Sequence, residues 1–431
     1  MTKRTTIAGL AAFAIVVIGA AVGAAWIYRS LSPYPRDVTG AKRNDRQDFT
    51  KIERGRYLVT AADCAACHTA AGGAPFAGGR SIETPFGNVL AANITPDRET
   101  GIGAWSDAEF DAALRLGRGR RGSFLYPAMP FVYYTKLTKD DVGAIRSYLA
   151  TVTPVRNAVV SNQLPFPFNI RASMAVWDAL YFHAGDFEPD PHKSEAWNRG
   201  AYLVEGPGHC GACHTPKNWL GGDETAKSLR GYSIQGWFAP NITNGKRDGL
   251  GRWSTADLAT YLKSGHNKFS AATGPMAEEV SLSTSQMTDA DIDAIAIFLR
   301  GQSGGAETKT ISEPSSSQMK AGEAIYQDAC SACHGANGEG VPNLYPDLAS
   351  APSVRAADPP SLIRVVLRGA RSVATEKEPT APAMPAFAWQ LSDAQVAAVL
   401  TYLRSRGSEK ASPIEASSVR SARASLAARN D

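Results

Sequence analysis

The chain has 431 residues, a length that predicts about three domains, since a domain averages about 150 residues. Apolar residues make up 44% and charged residues 20% of the chain, which excludes a disordered or coiled-coil protein. The 45 basic and 41 acidic side chains leave a net charge of +4, which is too small to favour nucleic acid as a partner.

Residues 1–30 contain an uncharged run from Thr5 to Tyr28, flanked by Arg4 and Arg29. As a helix the run would span about 36 Å, enough to cross a bilayer. We predict a transmembrane anchor here, with a cleaved signal sequence as the alternative, because small residues offer cleavage sites. The basic residues before the run keep the N terminus inside. Both interpretations put the remaining chain on the periplasmic side of a bacterial inner membrane.

All six cysteines lie in three C-x-x-C-H motifs, namely Cys64, Cys67 and His68; Cys210, Cys213 and His214; and Cys330, Cys333 and His334. Two thiols at this spacing add to the two vinyl groups of one haem, and the histidine reaches the iron. A redox C-x-x-C needs no following histidine, and a zinc site needs four ligands close together. The motifs therefore predict three covalently bound haem c groups.

Short words repeat around the motifs in a fixed order. Arg54–Val59 precedes the first motif, Arg199–Val204 precedes the second, and Ala321–Tyr326 is a fainter version before the third. After the first two motifs, Asn93–Thr95 returns as Asn241–Thr243. Such repetition indicates duplicated modules.

Each module ends in a predicted helix. Apolar residues recur at helical spacing after Thr138, Thr288 and Ser392, and each of these residues is a candidate N-cap. A second helix is predicted before each C-x-x-C-H motif. The pattern predicts an all-α fold in which two helices clasp each haem and loops fill the interval.

A methionine beside a proline follows each motif, and these residues are Met129, Met276 and Met384. Proline holds a loop extended, so it favours presentation of the thioether to iron as the sixth ligand. Met287 and His266 are the rivals of Met276 at the second site. Iron with histidine and methionine ligands has no open position, so we predict electron transfer and no catalytic residues.

Three stretches, Gly208–Pro216, Tyr126–Pro130 and Asn93–Pro96, resemble the tri-haem cytochrome c subunits of bacterial membrane-bound dehydrogenases. That family serves alcohol, gluconate, sorbitol, fructose and aldehyde dehydrogenases, and the resemblance covers about residues 50–407. It implies three tandem class I-like cytochrome c domains. It also implies a separate molybdopterin, quinoprotein or flavoprotein catalytic subunit, with or without a small third subunit. Electrons would pass to ubiquinone or a terminal oxidase, and membrane lipid is a further expected partner. An anchor at the N terminus tilts the prediction towards an aldehyde-oxidising complex.

Composition and the repeats set the predicted borders, which are listed here in chain order: 1–30 anchor or signal, 31–50 tether, 51–160 first domain, 161–195 inter-domain or partner-docking segment, 196–302 second domain, 303–318 hinge, 319–407 third domain and 408–431 polar tail. The segment 161–195 is rich in aromatic residues. It is interpreted as packing between the first two domains or as a docking site for the catalytic subunit.

Two other functions remain open from the sequence. A multihaem peroxidase would carry the same motifs, but it needs a haem with an open distal side. A cytochrome subunit that feeds a terminal oxidase without a dehydrogenase would share every feature above. The basic residues Arg115, Arg118, Arg120 and Arg121 are interpreted as a solvated face or as partners of haem propionates.

Overall fold

The computed structural model describes residues 48–160, 162–305, 312–342, 344–356, 358–406 and 410–429. The described chain consists of short helices, long loops and three small sheets. Each C-x-x-C-H motif lies in a helical region of its own, and the three regions follow one another along the sequence.

The first region and the segment after it contain α1 Phe49–Ala61, α2 Cys64–His68, β1 Ser81–Thr84, β2 Gly87–Leu90, α3 Asp107–Leu116, α4 Phe131–Tyr134, α5 Lys139–Leu149 and α6 Met174–Tyr181. The second region contains α7 Glu195–Glu205, α8 Gly211–His214, β3 Tyr232–Ile234, β4 Trp237–Ala239, α9 Thr255–Ser264, α10 Pro275–Leu282 and α11 Asp289–Arg300. The third contains α12 Ser316–Ala329, α13 Ser331–His334, α14 Pro352–Arg355, α15 Pro360–Arg368, β5 Ala370–Arg371, β6 Ala383–Met384, α16 Asp393–Arg404 and α17 Ala416–Ala427. Single 3-10 turns lie at residues 120–122, 171–173, 225–227 and 284–286.

The long helices at the start and end of each region cross at a glycine. A Cβ on that glycine would lie only 1.9, 2.0 and 2.2 Å from an alanine carbonyl oxygen of the partner helix in the first, second and third regions. The crossing pairs are Gly55 and Ala144, Gly200 and Ala294, and Gly322 and Ala398. Each glycine belongs to a repeated sequence word, so the repeat encodes a close helix crossing.

The predicted N-caps of the closing helices are confirmed. Thr138 accepts a hydrogen bond from the backbone N–H of Asp141, and Thr288 accepts one from that of Asp291. Ser392 forms a reciprocal capping box with Gln395. These caps satisfy helix N–H groups that otherwise have no partner and so fix where each helix begins.

The first two regions share one apolar core, and a pair of tyrosine–aspartate bonds joins them. The hydroxyl of Tyr57 donates to Asp291 of the second region at 2.5 Å, and the hydroxyl of Tyr202 donates to Asp141 of the first. Each carboxylate also pairs with an arginine of its own region, Asp141 with Arg54 and Asp291 with Arg199. The list of these contacts reads the same from either region, so the two regions are related by a pseudo-twofold axis.

The third region has a separate core around Tyr326 and Leu400 and meets the second region along a narrower contact. Val373 packs against Ala272 and Val280 of the second region. The guanidinium of Arg364 lies 4.6 Å above the Trp237 ring. The third region is therefore attached to the pseudo-twofold pair.

Two parts of the predicted fold class are wrong. The described chain is not all-α, because it contains three two-stranded antiparallel sheets. One of these is a tight hairpin whose turn residues Gln235 and Gly236 both have positive φ, the geometry that joins twisted strands in two residues. The glycine content of this stretch favoured plain loop in the sequence.

The expected N-terminal transmembrane (or signal) helix is the second error. Among the helices that the structure describes, none combines the length and the apolar character needed to cross a bilayer. The segment 1–30, for which the anchor was predicted, lies outside the described residues. A membrane-spanning location is therefore unsupported.

Candidate haem sites

The three C-x-x-C-H motifs and the three predicted methionine ligands line one continuous cavity of about 1360 Å³. The residues of this set are Cys64, Cys67, His68, Met129, Cys210, Cys213, His214, Met276, Cys330, Cys333, His334 and Met384. A pocket for one small molecule typically measures about 300–1,000 Å³. The cavity therefore exceeds what a single ligand needs, and its walls are mainly apolar, as a haem requires.

The first two motif histidines are oriented by backbone carbonyls. Nδ1 of His68 lies 2.6 Å from the carbonyl oxygen of Ala92, and Nδ1 of His214 lies 2.7 Å from that of Pro240. A carbonyl only accepts, so Nδ1 carries the proton and Nε2 keeps its lone pair for a metal. Burial lowers the pKa of both imidazoles, which also favours the neutral ring that binds iron.

The repeated Asn-Ile-Thr words hold these carbonyls in place. The side chain of Asn93 accepts from the backbone N–H of Thr95 at 3.0 Å and from its hydroxyl at 2.7 Å. Asn241 and Thr243 make the same two bonds at 2.9 and 2.6 Å. Each buried turn directly follows the residue whose carbonyl oxygen orients the histidine. The repeat therefore encodes the support of the histidine ligand.

The third motif lacks this support. His334 is buried enough that its pKa is lowered, yet its Nδ1 has no hydrogen-bond partner among the described residues. The third region also has no Asn-Ile-Thr word. A buried imidazole with an unsatisfied nitrogen costs free energy unless a further group binds the ring. The residues present therefore fit a metal-bound histidine, with weaker orientation than at the first two motifs.

Each predicted methionine is carried by a different local structure. Met129 precedes α4, Met276 is the second residue of α10 after Pro275, and Met384 lies in β6, paired with Ala370 of β5. Proline at the start of α10 is a favoured position, since its missing N–H has no partner in a helix.

The rivals of Met276 differ in their surroundings. His266 is buried with its Nδ1 near the Ser264 carbonyl oxygen, and it lies outside the lining of the cavity. Met287 lines the cavity, but it is also a core residue, 4% exposed. The lining thus separates Met276 from His266 and leaves Met287 as a neighbour.

The thiols do not have the character of redox cysteines. Burial raises the pKa of Cys64 and Cys210 to about 12, and that of Cys67 and Cys330 to about 11. Catalytic thiols need a lowered pKa, because the thiolate is the reactive form. These pKa values argue against thiol–disulfide exchange.

The first two sites are interleaved. Helix α10, which carries Met276, packs against α2 of the first motif. Conversely Tyr133, four residues after Met129, bonds to Asp223 and contacts Gly211 in the second motif. The methionine segment of each region therefore lies on the C-x-x-C-H helix of the other region.

Carboxylates between the two sites were missed by sequence reasoning. Asp63, directly before the first motif, is hydrogen-bonded to Glu279 of α10. Burial raises the pKa of both carboxyls, and the charge of Glu279 raises that of Asp63 further. Beside them, Arg80 of the first region forms an ion pair with Glu278. Asp63 and Glu279 are far apart in sequence, and no local pattern indicates their contact.

Comparison with known proteins agrees with the class of site. The cytochrome c family model matches residues 52–153 and 319–407. This match and the motifs define a protein that binds haem c covalently.

Three relatives identify the family more closely. The gluconate 2-dehydrogenase cytochrome c subunit of Pantoea cypripedii is 39% identical, over 84% of this chain and 87% of its own length. The fructose dehydrogenase cytochrome subunit of Gluconobacter japonicus is 37% identical, over 86% and 82%. The quinone alcohol dehydrogenase cytochrome c subunit of Gluconacetobacter polyoxogenes is 36% identical, over 84% and 82%. The chain therefore belongs to the family of electron-transferring cytochrome c subunits of dehydrogenase complexes.

Proposed function

We propose that the chain holds three haem c groups, one at each C-x-x-C-H motif. The proposed tethers are Cys64 and Cys67, Cys210 and Cys213, and Cys330 and Cys333. The proposed iron ligands are His68 with Met129, His214 with Met276, and His334 with Met384. The observation that carries the proposal is the single cavity that all twelve side chains line.

The ligand set favours electron transfer over catalysis. Haem c bound by histidine and thioether supplies a one-electron couple with no open position for oxygen or peroxide. The protein contributes the apolar walls, the oriented imidazoles of His68 and His214, and the loops that present the methionines. A methionine in the lining near every motif disfavours the peroxidase alternative.

The packing of the regions supports a relay. The interleaving of the first two regions brings two motifs to one interface, and the third motif opens into the same cavity. Electrons would enter from a catalytic dehydrogenase subunit, pass through the haems and leave to ubiquinone or the respiratory chain at the periplasmic side. The named relatives favour a partner that oxidises an alcohol, sugar or sugar acid over the aldehyde-oxidising partner favoured by the sequence.

The haem count is the direct test. We expect the intact mass of the purified chain to exceed the polypeptide mass by three haem groups. Replacement of both Cys330 and Cys333 by alanine should remove one of them. Replacement of Cys210 and Cys213 serves as the matched variant for the second motif, where the family model gives no match. A wild-type mass with two haems would overturn the proposal for the motif whose cysteine variant leaves that mass unchanged.

The partner is tested by isolating the complex. Solubilised membranes should yield the chain together with a larger subunit that reduces its haems when substrate is added. A chain that purifies alone and is reduced by no alcohol, sugar or sugar acid in the membrane extract would refute the dehydrogenase partner. It would also favour a subunit that feeds an oxidase.

A further inference from the structure

Helix α6 has an inverted polarity. Val176 and Leu180 lie four residues apart, on one face of the helix, and are 63% and 57% exposed. Asp178 is only 2% exposed, and its carboxylate lies 3.3 Å from the guanidinium of Arg118. A helix in a water-soluble surface normally turns its charge outward and its apolar side inward. Helix α6 therefore presents a face suited to an apolar surrounding.

The chain before α6 enlarges this apolar surface. Residues 165–173 are all exposed, among them Phe166 at 78% and the smaller exposures of Phe168 and Ile170. Trp219 is 84% exposed on a neighbouring loop. We call the set of Phe166, Phe168, Ile170, Val176, Leu180 and Trp219 the aromatic face.

Contacts hold the parts of the aromatic face together. The indole N–H of Trp177 in α6 donates to the carbonyl oxygen of Leu220, next to Trp219. The Phe86 ring lies 4.9 Å from the Phe168 ring and also touches Gly221. The aromatic face is thus a built surface and is larger than the scattered exposed residues of an ordinary monomer.

The charges around the aromatic face are cationic. From residue 157 to residue 181 the sequence has two charged residues, Arg171 and the buried Asp178. Arg171 is exposed, and it donates to the carbonyl oxygen of Phe124 at 2.6 Å. The loop that ends at Phe124 carries the exposed Arg120 and Arg121.

We propose that the aromatic face docks on an anionic phospholipid surface without crossing the bilayer. Apolar side chains would enter the boundary between headgroups and acyl chains, while the arginines contact lipid phosphates. Because Arg120 already pairs with Glu109 at 3.7 Å, the attraction comes mainly from Arg121 and Arg171. A protein partner would more often present charges of both signs at its rim, and this border offers one sign.

The proposal also orients the first site, a consequence that rests on the proposed function. The hydroxyl of Tyr126 donates to the carbonyl oxygen of Phe168, and Arg171 lies 4.8 Å above the Tyr126 ring. Tyr126 lies in the loop that carries Met129. Docking therefore brings the methionine loop of the first site to the membrane surface, where a lipid-soluble quinone is found.

The test measures hydrogen–deuterium exchange of the haem-loaded full chain with vesicles of phosphatidylglycerol and phosphatidylcholine. We expect slower exchange in peptides from 162–181, a smaller effect with phosphatidylcholine alone, and weakening by salt. Peptides around Trp389, which is 83% exposed on the third region, should not change. The readout is local, so it reports this face whatever else holds the chain to the vesicle.

Variants give the second measurement. Phe166→Ser with Leu180→Ser should lower the vesicle partition constant by at least about tenfold, since each side chain loses its transfer to an apolar medium. Trp389→Ser is the matched control and should leave binding unchanged. Unchanged exchange at 162–181 with anionic vesicles would overturn the proposal. So would protection that appears only when the catalytic subunit is added, which would make the face a protein interface. Haem content and subunit co-purification test the proposed function independently.

Discussion

The glycine crossings predict that the smallest possible enlargement destabilises the third region. In Gly322→Ala, the new Cβ would lie 2.2 Å from the Ala398 carbonyl oxygen and 2.7 Å from Cβ of Tyr402. An ordinary contact begins at 3.4 Å, so α12 and α16 must separate by about 1.2 Å. Because the first obstacle is helix backbone, rotation of a side chain cannot relieve it.

The size of the loss follows from two opposing effects. Overpacking of a core costs about 1–3 kcal/mol, and a clash with backbone lies at the upper end of this range. Alanine recovers about 1 kcal/mol through its higher helix propensity. The net loss is about 2 kcal/mol, which lowers the melting temperature of a domain of about 100 residues by roughly 8–16 °C.

Thermal unfolding of the haem-loaded chain, followed by circular dichroism, measures this effect. The matched control is Gly185→Ala, because Gly185 has ordinary φ and no atom within 4 Å of its built Cβ. The third region has its own core, so its transition should move while that of the shared core stays. If Gly322→Ala melts like Gly185→Ala, the helices do not cross as tightly as described.

Three further predictions concern the sites and their interface. Met276→Ala should keep its haem attached, lose the absorbance band of thioether-ligated iron at one centre and lower one potential; an unchanged redox titration would refute the ligand assignment. Tyr202→Phe should lose about 1.5 kcal/mol in urea unfolding, the value of a hydrogen bond to a charged group. Its pseudo-twofold counterpart Tyr57→Phe should lose a similar amount, and a loss at one site only would contradict the symmetry. Asp63→Asn should raise the melting temperature near pH 7 but not near pH 3.5. The raised pKa of Asp63 means that the unfolded chain ionises this carboxyl before the folded chain does, so native stability falls as pH rises above the unfolded pKa. Equal stabilisation at both pH values would show that the carboxylate is not the cause.

Local chemistry is the part of this molecule that the sequence predicts well. Thr138, Thr288 and Ser392 are recognised as caps because an N-cap acts within three residues. The motif spacing likewise depends only on neighbouring residues, so it predicts which side chains line the cavity. The hairpin at Gln235 and Gly236 is local too, but its strands are too short to produce an alternating pattern.

Long-range contacts escape such reasoning. Tyr57 and Asp291 are separated by 234 positions, and nothing beside either residue indicates its partner. Helix α17 lies in the stretch 408–431, for which its Ser, Ala and Arg content suggested a polar tail. In the structure Val419 and Leu426 of α17 are buried against the third core. Two apolar side chains seven residues apart are a weak periodic signal, although alanine favours the helix itself.

The way the regions join bears on the proposed relay. Electron transfer between cofactors slows steeply with distance, so a relay needs its sites held at fixed separation. The first two regions meet this need through a shared core, reciprocal Tyr–Asp bonds and methionine segments that lie on each other's motif helices. The third region meets the second through a smaller apolar contact at Val373 and the stacking of Arg364 on Trp237. A substitution at Val373 should therefore slow transfer to the third site while leaving transfer between the first two unchanged.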